Sequence, residues 1–176
     1  DDSTVNEAPF YVMSVVEGVV LRDQASAAHL TAAQCQVATE SLVDVQVAFH
    51  TVDIDKIGLG DLAKTRDHYF ERQLNRWQKQ INAAKTRELP LIDSLHTRLS
   101  KNIPTQQTRP GLAHGDYRFD NTVLAKDCSI SAVVDWELCT LGDPIADFVW
   151  SRFSCVEHDD SNTWLPDRHT LSENNC

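Results

Sequence analysis

No stretch of this 176-residue chain approaches the ~18 consecutive apolar residues that a membrane-spanning helix needs, so no membrane span is expected. The opening, Asp1-Asp2-Ser3, is the reverse of a basic signal-peptide start. Positive charge is scarce. Lys and Arg total 16 against 26 Asp and Glu, a net charge of −10. That balance argues against a general nucleic-acid binder, which needs a basic surface. Cysteine pairs are lacking too. Cys35, Cys128, Cys139, Cys155 and Cys176 are scattered and contain no C-x-x-C spacing. Neither disulfide staples nor a zinc site is expected, and reduced thiols in a cytoplasmic protein are the simplest reading. Internal repeats and low-complexity tracts are absent. What remains is 41% hydrophobic and 24% charged, enough for one domain with a core.

Against this background one segment is informative. His114-Gly115-Asp116-Tyr117-Arg118-Phe119-Asp120-Asn121 has the form H-x-D-x-x-x-x-N, the catalytic-loop spacing of kinases. Val133-Val134-Asp135-Trp136-Glu137 then offers another carboxylate at the end of an apolar strand. Phosphoryl transfer asks a protein mainly for positioning and charge neutralisation. Asp116 suits the base that accepts a proton from an alcohol nucleophile. Asn121 and Asp135 offer oxygen ligands to a hard cation on the nucleotide phosphates. Arg118 lies where it could offset charge on the transferring group; an ordinary ion-pair arginine is the alternative. His114 is read as shaping the loop. Glu137 is either near the metal's water shell or a plain loop carboxylate. Trp136 and Trp150 are read as core residues.

Between the two segments the chain reads as a hairpin. Thr122 to Ala125 is β-prone, 126–129 is turn-like, and Ile130 to Val134 returns. Closing that hairpin makes Asn121 and Asp135 neighbours. Upstream, Phe10 to Val16 reads as a strand entering the body. Residues 31–50 read as a helix capped by Thr31, with Leu42, Val45 and Phe49 on one side. Residues 54–62 read as a loop. Phe70, Leu74, Trp77 and Ile81 recur at helical spacing within a long helix from about Lys64 to Lys85. Pro90 starts another, to about Lys101. A polar linker covers 102–110, and a further helix starts near Asp143-Pro144, where an aspartate cap and a first-turn proline fit together.

Other features are weaker. Gly58-Leu59-Gly60-Asp61-Leu62-Ala63 fits G-x-G-x-x-A, but the polar 52–56 segment before it is no buried parallel strand. Arg72, Arg76 and Lys79 share one helix face. They form either a solvated surface or a docking surface for an anionic substrate, such as a phosphorylated or CoA-linked molecule. Cys155-x-x-His158 with Asp159 and Asp160 is discounted as a metal site.

Taken together, His114-Gly115-Asp116 to Asn121, Val134-Asp135-Trp136-Glu137, and Leu141-Gly142-Asp143-Pro144 with Asp147 resemble the aminoglycoside phosphotransferase-like family. The nearest branch is the kinase-like domains fused to some acyl-CoA dehydrogenases. Pro9-Phe10-Tyr11-Val12-Met13 with Val16-Glu17-Gly18 resembles that family's hinge, and His50-Thr51-Val52-Asp53 its first large-lobe helix end. The resemblance implies an α+β, protein-kinase-like fold, represented mainly by the helical C-terminal lobe with its catalytic β-hairpin. It also implies ATP, Mg2+ and a small-molecule alcohol substrate. By carry-over Asp116 is the base, Asn121 and Asp135 hold the metal, and Ser14, Val15 and Val16 meet adenine. Asp147 anchors the catalytic loop from a helix, and Asp143 braces the same region.

The chain departs from the family pattern at its start. The hinge motif comes almost at once, so the phosphate-covering loop and its lysine have no counterpart here. The chain is therefore expected to be a fragment with the N-lobe largely missing. Residues 1–18 are read as the end of that lobe and the hinge, 19–156 as the catalytic and substrate lobe, and 157–176 as an irregular polar tail. The other function class kept open is a catalytically incomplete, pseudokinase-like binding module.

Overall fold

The computed structural model describes residue 10 and residues 12–105 and 109–153. The polar tail at 157–176, the Cys155–His158 pair and part of the hinge motif (Pro9, Tyr11) lie outside the described residues. So does the middle of the 102–110 linker, at 106–108. Among the described residues five helices run in the order α1 (Gln24–Ala27), α2 (Ala32–Thr51), α3 (Tyr69–Ala84), α4 (Pro90–Lys101) and α5 (Ile145–Phe153). Between α4 and α5 come four short strands: β1 (Gly111–Ala113), β2 (Thr122–Leu124), β3 (Ile130–Val133) and β4 (Thr140–Gly142).

Helix α2 begins where its sequence says it should. Thr31 Oγ1 accepts from the Gln34 amide at 3.3 Å, and the Gln34 side chain accepts from the Thr31 amide at 2.9 Å. That reciprocal cap satisfies two otherwise orphaned donors. The helix buries Cys35, Ala38, Leu42 and Gln46, a stripe at helical spacing. Leu42 and Ala38 pack with Tyr117, Phe119 and Leu124 in the main core, and Val45 and Phe49 lie against it. Burying each such leucine-sized side chain stabilises by ~1.5–3 kcal/mol. A smaller cluster of Ile54, Leu112 and Leu141 lies under Trp136 and Val52.

The strands form two antiparallel ladders. Thr122 pairs with Val133 and Val123 with Ala132, so the expected hairpin is present. Gly111 pairs with Gly142 and Ala113 with Thr140. This second ladder was not visible in the sequence, because three-residue strands are too short to show a period. It closes the chain on itself, so residues 114–139 leave and re-enter the body through one pair of strands. Tyr69, at the start of α3, seals that ladder. A methyl group on Gly142 would sit 2.1 Å from its ring, so only glycine fits there.

Two expectations are corrected. Residues 12–17 form no strand, and Val12 and Val15 are 88% and 91% exposed. β-prone residues pair only where a neighbour offers free backbone groups. The position on offer here, Leu124, is engaged by Val19 through bonds of 2.9 and 2.8 Å. Helix α3 starts at Tyr69 rather than near Lys64. His68 takes a left-handed conformation (φ 55°), which an α-helix cannot contain. Just before it, Arg66 is drawn back to the 53–60 loop, where it bonds Asp55 at 3.0 Å and the Gly60 carbonyl at 3.1 Å. Pro90–Lys101 and the α5 start agree with the sequence reading, with Asp143 Oδ1 accepting from the Ile145 amide at 3.1 Å.

Candidate active site

The site begins with a buried carboxylate. Asp147, on α5, is 1% exposed. Its Oδ2 accepts from the His114 amide at 2.6 Å and its Oδ1 from the Gly115 amide at 2.8 Å. His50 Nε2, from the end of α2, reaches Oδ2 at 3.1 Å. A buried charge is tolerable only when its lone pairs are met this fully. Gly115 must turn here with φ +88°, and a methyl group on it would meet the Leu138 carbonyl at 2.8 Å. The second residue of the H-G-D run is therefore fixed by backbone geometry.

His114 is fully buried, and both ring nitrogens are engaged. The Asp116 amide donates to Nδ1 at 3.3 Å, so Nε2 carries the proton and donates to the Val134 carbonyl at 2.9 Å. Its ring also lies against Trp136, with centroids 4.6 Å apart. Tyr117 is buried beside it, bonded to the Leu42 carbonyl at 2.8 Å. Burial pushes the Tyr117 hydroxyl far above the ordinary tyrosine value, and the Asp147 charge adds to this.

Asp116 points out of this framework, partly exposed. Asn121 Nδ2 donates to its carbonyl at 2.8 Å and to its Oδ2 at 3.0 Å. Trp150 Nε1 donates to its Oδ1 at 2.6 Å. The Val134 amide donates to the Asn121 carbonyl at 3.0 Å, continuing the hairpin ladder to the residue before Asp135. The structure thus brings Asp116, Asn121 and the backbone of Asp135 to one end of the hairpin. Asp135 is exposed and left-handed (φ 63°, ψ 52°), and its carboxylate has no bonded partner among the described residues. Arg118 bonds Asp120, and its Nε lies 3.9 Å from Asp116 Oδ1.

The donor set is all oxygen: one carboxylate from Asp135 and one amide oxygen from Asn121. That chemistry fits a hard divalent cation and does not fit a soft one. Among the described residues no group of three His, Cys, Asp or Glu side chains is arranged to hold a metal by itself. A cation here needs further ligands, and nucleotide phosphates are of the right kind. Cys128 and Cys139 form no disulfide among the described residues.

Other sequence-stated positions fall elsewhere. Ser14, Val15 and Val16 lie on the exposed 12–17 segment, after which Val19 bridges to Leu124 of the hairpin. Arg72 is not a free docking cation, because its guanidinium bonds the Leu141 carbonyl at 2.7 Å and also the Asp67 carbonyl. Arg76 remains exposed, 5.9 Å from the centre of the Trp77 ring. The reading of Trp150 as a core residue is corrected too. The residue is 38% exposed and bonded to Asp116, whereas Trp136 packs on His114 and Phe49 as a core residue would. Sequence reasoning gave His50 no part in the loop anchor. The signal available was a polar residue at the last turn of an otherwise core-facing stripe.

A cleft of about 220 Å³ adjoins the loop, lined by Tyr69, Phe70, Arg76, Trp77, Gly115 and Leu138 among others. A larger cleft, about 620 Å³, lies between the start of α3 and the end of α4; it shares Tyr69 and Phe70 and includes none of Asp116, Asn121 and Asp135.

Known proteins share this fold. Residues 1–172 match the model of a family described as "Phosphotransferase enzyme family". The chain is 35% identical to acyl-CoA dehydrogenase family member 11 of Rattus norvegicus, over 89% of this chain and 21% of that protein. It is 36% identical to family member 10 of Mus musculus, over 86% of this chain and 14% of that protein. The chain therefore spans about a fifth or less of these curated relatives. A solved Ralstonia eutropha protein, provisionally described as an aminoglycoside phosphotransferase, superposes with TM-score 0.73 at 39% identity. That match covers 81% of this chain and 43% of that one. The ternary complex of streptomycin, ATP and APH(2'')-IIa superposes with TM-score 0.55 at 16% identity, over 77% of this chain and 46% of that one, and shares the fold. The architecture is that of the protein-kinase-like aminoglycoside phosphotransferases, and the chain belongs to the phosphotransferase enzyme family.

Proposed function

We propose that this chain carries the catalytic segment of an ATP- and Mg2+-dependent phosphotransferase that acts on the hydroxyl of a small molecule. The observation that carries the reading is the convergence at the hairpin end. Asn121 bonds Asp116 twice, and its own carbonyl is laddered to the residue preceding Asp135.

In this reading Asp116 orients the acceptor hydroxyl and takes its proton. The acceptor oxygen forms a bond to the γ-phosphorus, the bridging P–O bond to ADP breaks, and the proton ends on the Asp116 carboxylate. Asn121 and Asp135 hold the cation, which, when bound, neutralises charge on the phosphates. His114 acts by holding the loop, with both ring nitrogens bonded. Arg118 offsets charge only if it leaves Asp120. The backbone near Ser14 to Val16 meets adenine. The acceptor enters the cleft beside Gly115, whose aromatic walls and single Arg76 suit an apolar body with an anionic group, including a CoA-linked one. The protein works in the cytoplasm, where thiols such as those of Cys128 and Cys139 stay reduced.

A second reading is a binding module without turnover. The Arg118–Asp120 pair and the exposed 12–17 segment favour it. Replacing Asp116 separates the two. Asp116→Asn, in the longest available version of the protein, is expected to cut MgATP-dependent phosphoryl transfer by roughly 10²–10⁴-fold with unchanged secondary structure. Turnover equal to that of the unaltered protein would end the assignment.

A further inference from the structure

Helix α5 grips the catalytic loop residue by residue. Asp147 accepts from the amides of His114 and Gly115, and Ser151 Oγ donates to the Tyr117 carbonyl at 2.8 Å. Trp150 completes the series, because its indole N–H donates to Asp116 Oδ1 at 2.6 Å. Residues 147, 150 and 151 lie on one helix face, three and four positions apart. They meet 114–115, 116 and 117 in the same direction along the chain. The first and last of these contacts fix backbone. The middle one fixes the side chain of the proposed base.

We propose that Trp150 is a positioning residue that sets the orientation of the Asp116 carboxylate toward the acceptor. The inference rests on the reading of Asp116 as the base. The two oxygens of Asp116 are held from opposite elements, Oδ2 by Asn121 at 3.0 Å and Oδ1 by Trp150. A carboxylate held at one oxygen still swings about its terminal torsion, where the energy wells are broad. Held at both, it cannot. Each oxygen keeps a second lone pair, so the acceptor hydroxyl can still be bound. The indole N–H is suited to this task because it only donates. It cannot reverse its bond, as a hydroxyl or an amide can. Arg118 does not substitute for it, since its Nε is 3.9 Å from the same oxygen and its terminal nitrogen is bonded to Asp120. A tryptophan serving only the core would be buried, and Trp150 is 38% exposed.

Two measurements test this. The first needs no activity. In the 15N-labelled full chain, the indole cross-peak of Trp150, assigned by its loss in Trp150→Phe, is expected downfield of a free indole. It should move upfield in Asp116→Asn, while the indole peaks of Trp77 and Trp136 stay in place. A Trp150 peak already at the free-indole position, or one unmoved by Asp116→Asn, overturns the proposal, whatever the protein's reaction.

The second is kinetic, with MgATP and water as the acceptor. Trp150→Phe keeps a ring and deletes the donor. It is expected to lower kcat about 10- to 100-fold, the scale of a misplaced reacting group, with KM for MgATP within about twofold. Trp150→His, which restores a ring N–H, should recover part of that loss. Unchanged kcat in Trp150→Phe overturns the proposal, and so does a rise in KM with kcat preserved. If Asp116→Asn leaves turnover untouched while the indole peak behaves as stated, the contact is real and the assignment of the base is what fails.

Discussion

Asp147→Asn tests the anchor from which the rest of the site is built. The substitution changes one oxygen to an NH2 group of nearly the same size. The two oxygens of Asp147 are used separately, one by each of two backbone amides, at 2.6 and 2.8 Å. An asparagine has a single acceptor. Either orientation satisfies one amide and presents an N–H to the other, so flipping only moves the conflict between His114 and Gly115. The loss is one charge-assisted bond, ~1.5–3 kcal/mol, plus a buried backbone donor left unmet, ~1–3 kcal/mol. Relief from burying a charge offsets part of this. A net loss of about 2–5 kcal/mol follows, against a stability of roughly 5–15 kcal/mol for a domain. The variant should fold and be marginal. Urea unfolding followed by circular dichroism measures the loss, with Glu137→Gln, an exposed carboxylate, as a control within ~0.5 kcal/mol. Hydrogen exchange at the His114 and Gly115 amides should accelerate well beyond that at Thr122, which lies in the neighbouring ladder. A loss under about 1 kcal/mol, or unchanged protection at both amides, would refute the reasoning, because it would mean that the loop holds its shape without the carboxylate.

Gly142→Ala forces a methyl group to 2.1 Å from the Tyr69 ring and should destabilise by ~1–3 kcal/mol, read as a lower urea midpoint. Adding Tyr69→Ala should leave little further penalty from the alanine, and strictly additive losses would speak against the clash. Tyr117→Phe loses the bond to the Leu42 carbonyl, about 1 kcal/mol at neutral pH. The folded state holds the Tyr117 hydroxyl neutral far above its ordinary value, so its stability contribution is full below about pH 10 and falls as pH rises further. The phenylalanine variant should therefore lose stability less steeply than the unaltered protein above about pH 10; parallel slopes would contradict the assigned cause.

Much of this architecture was legible because local signals agreed with the global fold. Thr31 and Gln34 state the start of α2, and Pro90 that of α4. The 126–129 turn between two β-prone runs gives the hairpin, and with it the meeting of Asn121 with the approach to Asp135. What stayed hidden depends on distant neighbours. The β1–β4 ladder joins residues about thirty positions apart through strands of three residues each. The left-handed His68 that delays the start of α3 follows the Arg66–Asp55 contact, and no periodicity encodes either. Val12 and Val15 look like strand residues because propensity reports a side chain's fit to a pleated surface, and says nothing about whether a partner strand is there. Trp150 was misread for a related reason. Composition makes a tryptophan a core residue by default, and only the position of α5 beside Asp116 reveals the use of its N–H.

Asp135 joins these two levels. A non-glycine residue in the left-handed region gives up roughly 1–2 kcal/mol, and aspartate is among the few that visit it routinely. The bend at φ 63° carries the chain from β3 into the 136–138 turn. There Trp136 lies on the His114 ring, and its Nε1 bonds the Val133 carbonyl at 3.0 Å. The same bend leaves the Asp135 carboxylate exposed, one residue beyond the Val134–Asn121 bond, with no bonded partner among the described residues. Glycine would make the turn at lower cost and bring no oxygen. Asparagine would make it and bring no charge. A residue that must both turn the backbone and offer an anionic ligand has one common solution, aspartate. In the proposed function, the packing of the His114 wall and the supply of a cation ligand would therefore be a single requirement on one position.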